Sequence, residues 1–185
     1  MTDRTGGSLP QMRDDGGSKM SLFQQISDAP TLKTAFSRIP SGLVAVAALA
    51  EGMPQGIVMS SFSAVSMNPP LVSICVQLTS STWPKLRDAG TLGVSFLGEG
   101  QEEVCAQFAK PSDQRFDNID WFADPEGAVF LEDASAWMRC SFAEGMRAGD
   151  HIIALMTVES AGWDGKRPPL IYLERSFREL APVAS

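Results

Sequence analysis

Apolar, β-rich stretches recur along this chain, and the few helices among them do not alternate with them as βαβ units do. Leu43–Ala50, Leu71–Leu78, Thr91–Leu97, Trp137–Phe142, His151–Val158 and Leu170–Leu173 all read as strands, and Glu51-Gly52 reads as a turn. Parallel strands need a connection of about a dozen residues or more, usually a helix. Only three helical patterns are present. Leu32, Ala35, Phe36 and Ile39 recur at helical spacing, with Asp28 as N-cap, Pro30 in the first turn and Pro40 as the stop. Thr82–Gly90 reads as a short helix with Thr82 as N-cap, Pro84 in its first turn and Gly90 at its end. Gln101–Ala109 reads as another, with Val104, Cys105 and Phe108 on one face, and residues 110–128 read as loop. About six strands that do not alternate with helices argue against a doubly wound parallel sheet. They predict a mainly β, antiparallel barrel with a few short helices.

The chain's 185 residues suffice for one domain with a sizeable core. Residues 1–19 carry paired glycines and almost no large apolar side chains, so they read as a flexible N-terminal tail ahead of a domain over 20–185. These residues also lack the apolar stretch of a secretory signal. The net charge of −7, with no Lys/Arg stripe, argues against a nucleic-acid partner. The longest apolar run, Gly42 to Ala50, is nine residues, and a spanning helix needs about twenty, so no membrane span is expected. Cys75, Cys105 and Cys140 are far apart and odd in number, and His151 is the only histidine, so neither a zinc cluster nor a disulfide framework is expected. That pattern points to a reducing, cytoplasmic location. Each cysteine reads as a small buried apolar residue.

Familiar nucleotide and hydrolase motifs are absent. Gly98-Glu99-Gly100 has Glu103 where a dinucleotide fingerprint needs its third glycine, and neither a phosphate-binding P-loop nor G-x-S-x-G occurs. Three other segments carry polar chemistry. Ser60-Ser61-Phe62-Ser63-Ala64-Val65-Ser66 is dense in hydroxyls, and Ser80-Ser81-Thr82 precedes a helix start. Short hydroxyls and free backbone N–H groups can bind a phosphate or ring carbonyls, although such clusters, read singly, serve as turn and capping residues. Gly149-Asp150-His151 places an imidazole at the start of a strand, where it serves a ligand or sits as a surface or satisfied core residue.

Taken in order, the segments resemble the flavin reductase domain family, the reductase components of two-component flavin-dependent monooxygenases. The resemblance covers about Leu32 to Leu180. Its residues are Phe36 to Val46 with Pro40, Ser41 and Gly42; Gly56 through Val72 with Ser60-Ser61-Phe62; Ser80-Ser81-Thr82; and Gly93 to Leu97. Gln107-Phe108-Ala109, Asp113-Gln114-Arg115-Phe116, Gly149-Asp150-His151 and Pro169-Leu170-Ile171-Tyr172 follow. Two positions depart from the family's habit: Val58-Met59 stands for Thr-Ala, and Ser95 for Asn.

The resemblance implies a six-stranded antiparallel Greek-key split barrel, the FMN-binding split barrel, assembled as a homodimer. It implies NAD(P)H-dependent reduction of FMN or FAD, with reduced flavin supplied to a partner monooxygenase. Carried over residue by residue, Val58, Met59, Ser60, Ser61 and Phe62 line the flavin ring and ribityl chain. Ser80, Ser81 and Thr82 hold the phosphate, and Ala109 and Lys110 meet the flavin tail. Phe116 and His151 approach the nicotinamide, with Pro40, Ser41 and Gly42 at the same mouth. His151 is the expected catalytic residue, an orienting group and proton donor, and Asp150 fixes its turn or orientation. The tryptophans read as core or interface anchors. Two alternatives stand beside this reading. One is a non-catalytic FMN-binding electron carrier. The other is a pyridoxamine-phosphate oxidase-like enzyme, for which the chain lacks a cluster of phosphate-binding Arg and Lys.

Overall fold

The computed structural model describes Ile26 and residues 28–181, so the expected tail over 1–19 lies outside the described residues. The chain divides into two units at Phe36. The first contains helix α1, Ala29–Phe36. Asp28 caps it, its Oδ1 accepting the Thr31 N–H at 2.7 Å. That bond holds the Asp28 carboxyl below its ordinary value. The helix stops at Phe36, short of the apolar repeat that reaches Ile39, because the residue before Pro40 is pushed out of helical geometry.

The second unit begins with β1 (Ser41–Gly42), β2 (Val44–Ala50), β3 (Met53–Met59), β4 (Ser63–Met67) and β5 (Pro70–Gln77). Helix α2 (Trp83–Asp88), β6 (Thr91–Phe96) and helix α3 (Glu102–Phe108) follow. The chain continues through β7 (Trp121–Ala123), β8 (Val129–Leu131), β9 (Ala136–Ala148), β10 (His151–Trp163), β11 (Ile171–Leu173) and β12 (Ser176–Arg178). One sheet dominates, in the order β3-β2-β6-β9-β10-β5-β4, with every pair antiparallel. Five of its strands, β2, β5, β6, β9 and β10, were expected from the sequence; the sixth expected strand, Leu170–Leu173, forms β11 in a separate sheet with β1 and β12, and β3 and β4 complete the large sheet. The serine-rich stretch read as turn chemistry is therefore partly strand, and the loop over 110–128 contains β7. The hairpin strands β9 and β10 each run to 13 residues, well past the apolar stretches that announced them. The reason is that their outer halves are solvent-facing and carry no apolar alternation.

Strands β3 and β4 are consecutive in the chain yet stand at opposite ends of the sheet order. Four residue steps from Met59 to Ser63 reach at most about 14 Å, whereas seven flat strands would hold their edges about 29 Å apart. The sheet must therefore curl until its edges meet, which makes a barrel. No ladder joins β3 to β4, so the barrel is split along that seam. β2 lies inside the sheet and is buried on both faces. Val44, Val46 and Ala48 enter one core cluster with Ile74, Val94 and Met156, while Leu43 and Ala45 enter a second with Leu97, Phe108 and Leu131. Two-sided burial is why this strand reads as an unbroken apolar run.

β6 and β8 approach so closely that a Cβ on Gly93 would lie 2.0 Å from the Val129 carbonyl oxygen. Backbone cannot yield there as a flexible side chain would. Gly93→Ala is expected to cost on the order of 3 kcal/mol or to abolish soluble protein. Gly165→Ala, where an added Cβ meets nothing within 4 Å, serves as the control in the same thermal melt.

Candidate functional site

The seam between the sheet edges opens into a groove of about 390 Å³. Ile57 to Ser61 form one wall, and Cys75 to Gln77, Ser80 and His151 form the other. β3 pairs only with β2, so along its outer edge every second residue turns its backbone N–H and C=O away from any strand. Ser61 sits where the chain leaves β3. Its Oγ donates to the Cys75 carbonyl at 3.0 Å and accepts the Cys75 N–H at 2.9 Å, standing in for a missing ladder residue. His151 opens β10 opposite Gln77 and Ala148. The tight β9–β10 connection is Gly149-Asp150, with Gly149 at φ +62°, a conformation glycine adopts without steric cost. The Leu78 N–H donates to the Asp150 carbonyl at 2.9 Å and pins that turn to β5.

His151 is the only ionisable side chain on the groove apart from the Cys75 thiol, and it is oriented from behind. Its Nδ1 lies 2.8 Å from Asp150 Oδ1. With the proton on Nδ1 donated to the carboxylate, the neutral ring presents Nε2 as an acceptor; the protonated ring presents an Nε2–H donor. The His151 hydrogen bond is the main cause that holds the Asp150 carboxyl below its ordinary value of 3.8.

The expected residues fall into distinct groups. Val58, Met59, Ser60, Ser61, Ser80 and His151 share the groove. Val58, Met59 and Ser60 also border a second recess of about 350 Å³, with Ala109, Phe108 and Tyr172. Ser41 and Gly42 pair with Tyr172 and Ile171, which brings the Pro40–Gly42 segment alongside that recess. The others stand apart. Phe62 turns inward, edge-on to Phe96 at 4.8 Å. Phe116 packs between Phe108 and Trp121 and faces a separate cavity of about 870 Å³ that also includes Met53, Pro54 and Lys85. Lys110 Nζ donates to Gln107 Oε1 at 2.6 Å. Ser81 is exposed and Asp150 supports the site from outside it.

Several hydroxyls also carry structural duties. Thr82 stands at the N-cap of α2 without capping it through its side chain, because its Oγ1 accepts from Arg115 instead. The Ser80 Oγ accepts the Trp83 N–H at 3.2 Å and takes over that role. Ser95 is buried and accepts the Leu131 N–H at 2.9 Å, joining β6 to β8. Of the cysteines, Cys140 alone is wholly buried; burial pushes its thiol up to about 12 and that of Cys105 to about 11. Of the tryptophans, Trp83 is a core anchor, whereas Trp163 is 77% exposed.

Groove residues with no signal of their own are Ile57, Cys75, Val76 and Gln77. The register that sets Gln77 beside His151 could have found the last of these. The groove suits a flat, largely neutral ring system: its walls are apolar side chains, short hydroxyls and unladdered strand edge, with one imidazole. Among the described residues no cluster of His, Cys, Asp or Glu could hold a metal ion, and no helix is long and apolar enough to cross a membrane.

The Asp150–His151 bond has a pH signature. A depressed carboxyl contributes its stabilisation above the unfolded value and loses it as pH falls through the lower folded value, so the loss falls below pH 3.8. The Asp150 carboxyl carbon is expected to titrate by NMR with a midpoint below 3.8 and to shift upward in His151→Ala.

The flavin reductase like domain family matches residues 36–181. The chain is 35% identical over 159 residues to the actinorhodin polyketide dimerase of Streptomyces coelicolor, covering 85% of this chain and 90% of that protein. It is 29% identical over 155 residues to the reductase subunit of a flavin-dependent monooxygenase from Rhodococcus jostii, covering 84% and 80%. The structure superposes on an NADH:FAD oxidoreductase of Streptomyces globisporus, solved with NAD and FAD fragments, with a TM-score of 0.82 and 32% identity over 88% of this chain and 99% of that one. With the family's match running from residue 36 to 181, the chain belongs to the flavin reductase like domain family.

Proposed function

We infer that this protein is an NAD(P)H:flavin oxidoreductase that reduces FMN or FAD and supplies reduced flavin to a partner monooxygenase. The observation that carries the reading is the shared groove, which gathers Val58–Ser61, Ser80 and His151 from three separate segments of the chain. The names of its relatives agree with it. In this reading Val58, Met59 and the backbone at Ser60–Ser61 hold the flavin ring, with Ser80 toward the ribityl phosphate. Ala109 lines the adjoining recess for the flavin tail or the nicotinamide, near Pro40–Gly42. Phe62, Ser81, Thr82 and Lys110 support these contacts from outside the groove, and Phe116 acts by packing the wall behind β3.

When bound, flavin supplies N5 as the acceptor of the hydride that leaves C4 of the reduced nicotinamide. The protein's task is then placement and exclusion of water, which needs no strong acid–base pair. His151, held by Asp150 through Nδ1, directs Nε2 into the groove, where it orients a carboxamide or flavin edge and exchanges a proton. We assign the domain to 20–185, the assembly to a homodimer and the location to the cytoplasm; the odd, unpaired cysteines support the last.

The deciding experiment follows loss of reduced-nicotinamide absorbance with NADH or NADPH, with and without FMN, FAD or riboflavin. Saturable, flavin-dependent oxidation is expected, and folded His151→Ala should lower kcat about 10- to 100-fold. Flavin binding without turnover by either nicotinamide would replace the enzyme with a flavin carrier.

A further inference from the structure

One charged side chain ties together all three segments that the flavin-reductase reading places around the flavin, yet it lines neither the groove nor the adjoining recess. Arg115 Nη1 donates to the Gly56 carbonyl at 2.8 Å and to Thr82 Oγ1 at 3.0 Å, and its Nε donates to the Lys110 carbonyl at 3.0 Å. Gly56 immediately precedes the Ile57–Ser61 wall. Thr82 is buried two residues beyond Ser80, on the opposite wall. Lys110 follows Ala109, which lines the second recess. Gly56 is itself crowded: an added Cβ would meet both Phe108 and Phe116 at 2.9 Å, so β3 is clamped at this level from the side and by the guanidinium.

We propose that Arg115 is a positioning residue for the flavin: it sets the spacing of the two groove walls and of the recess beside them. The proposal rests on the flavin-reductase reading. A planar fork of fixed N–H directions can serve three acceptors from three segments at once. A lysine, with a compact ammonium on a flexible stem, cannot hold all three in register. The three acceptors are two backbone carbonyls and a hydroxyl, with no carboxylate among them, so the residue's work is directional bonding and not charge pairing.

The test measures Arg115→Met and Arg115→Lys beside the wild type, each checked for folding by circular dichroism and thermal melt. Binding of FMN and of riboflavin is read by fluorescence quenching, and KM and kcat by nicotinamide oxidation. The expected result is a rise of about tenfold in Kd and KM for both flavins, with no rescue by Lys. Riboflavin lacks the phosphate, so it separates positioning from phosphate binding. If FMN weakens while riboflavin does not, and Lys restores FMN, Arg115 is a phosphate contact and the proposal is overturned. Unchanged flavin binding overturns it as well. Should Arg115→Met fail to fold, Thr82→Val removes one of the three acceptors, with an expected weakening of both flavins by about threefold; no change there overturns the proposal. If the wild type neither binds nor reduces flavin, the functional reading falls and this proposal with it. If the wild type does both and the variants match it, only the proposal falls.

Discussion

The short link between β3 and β4 governs the rest of the molecule. Ser60, Ser61 and Phe62 carry the chain from one edge of the sheet to the other, and so short a link forces the sheet to close. Closure stops just before the edges would ladder. At that point the Ser61 hydroxyl occupies both backbone groups of Cys75, satisfying one edge while holding the other at a distance. An unsatisfied strand edge in a compact domain is costly to bury and prone to pair with other chains. Here it is kept open as a lined groove, and the same gap that splits the barrel provides the site.

What keeps the seam from collapsing lies behind it. Phe62 anchors the link inward against Phe96, and Phe108, Phe116 and Trp121 form an edge-to-face series on the outer side of β3. Gly93 lets β8 lie directly over β6, with Ser95 accepting from Leu131 and the Trp137 Nε1–H donating to the Leu131 carbonyl at 2.7 Å. The groove walls themselves are laddered on one side only, to β2 and to β10. That arrangement suits a site that must admit and release two planar ligands.

Legibility in the sequence followed local chemistry. β2, β5 and β6 were visible because one or both faces are buried and β-rich residues fill them. The turn at Glu51-Gly52 was visible through Gly52, which holds φ +78° at no steric cost. β3 was not read as a strand, since Pro54, Gln55 and Gly56 interrupt its alternation; an edge strand tolerates them because one side of its backbone is unladdered. The outer halves of β9 and β10 were invisible because they are exposed, each pairing only with the inner half of the other strand. Among the site residues, Val58–Ser61, Ser80 and His151 were nominated and meet in one groove, whereas Phe116 was nominated from the same resemblance and faces another cavity. Motif order carries no information about which side of a strand a residue faces.

The sequence by itself determined the antiparallel β class, the positions of its turns and short helices, and the segments that bear polar chemistry. It could do so because hydrophobic periodicity, Gly and Pro placement and hydroxyl density act over a few residues. Only the tertiary structure decided that Ser61 repairs a broken ladder, that Thr82 serves Arg115 while Ser80 caps the helix, and that Asp150 orients His151 across a groove shared with β3. The Asp150–His151 and Ser80–Trp83 contacts are local, whereas Ser61–Cys75 and Thr82–Arg115 join residues 14 and 33 positions apart. Which donor meets which acceptor is then settled by packing, a property of the whole barrel and not of any window along the chain.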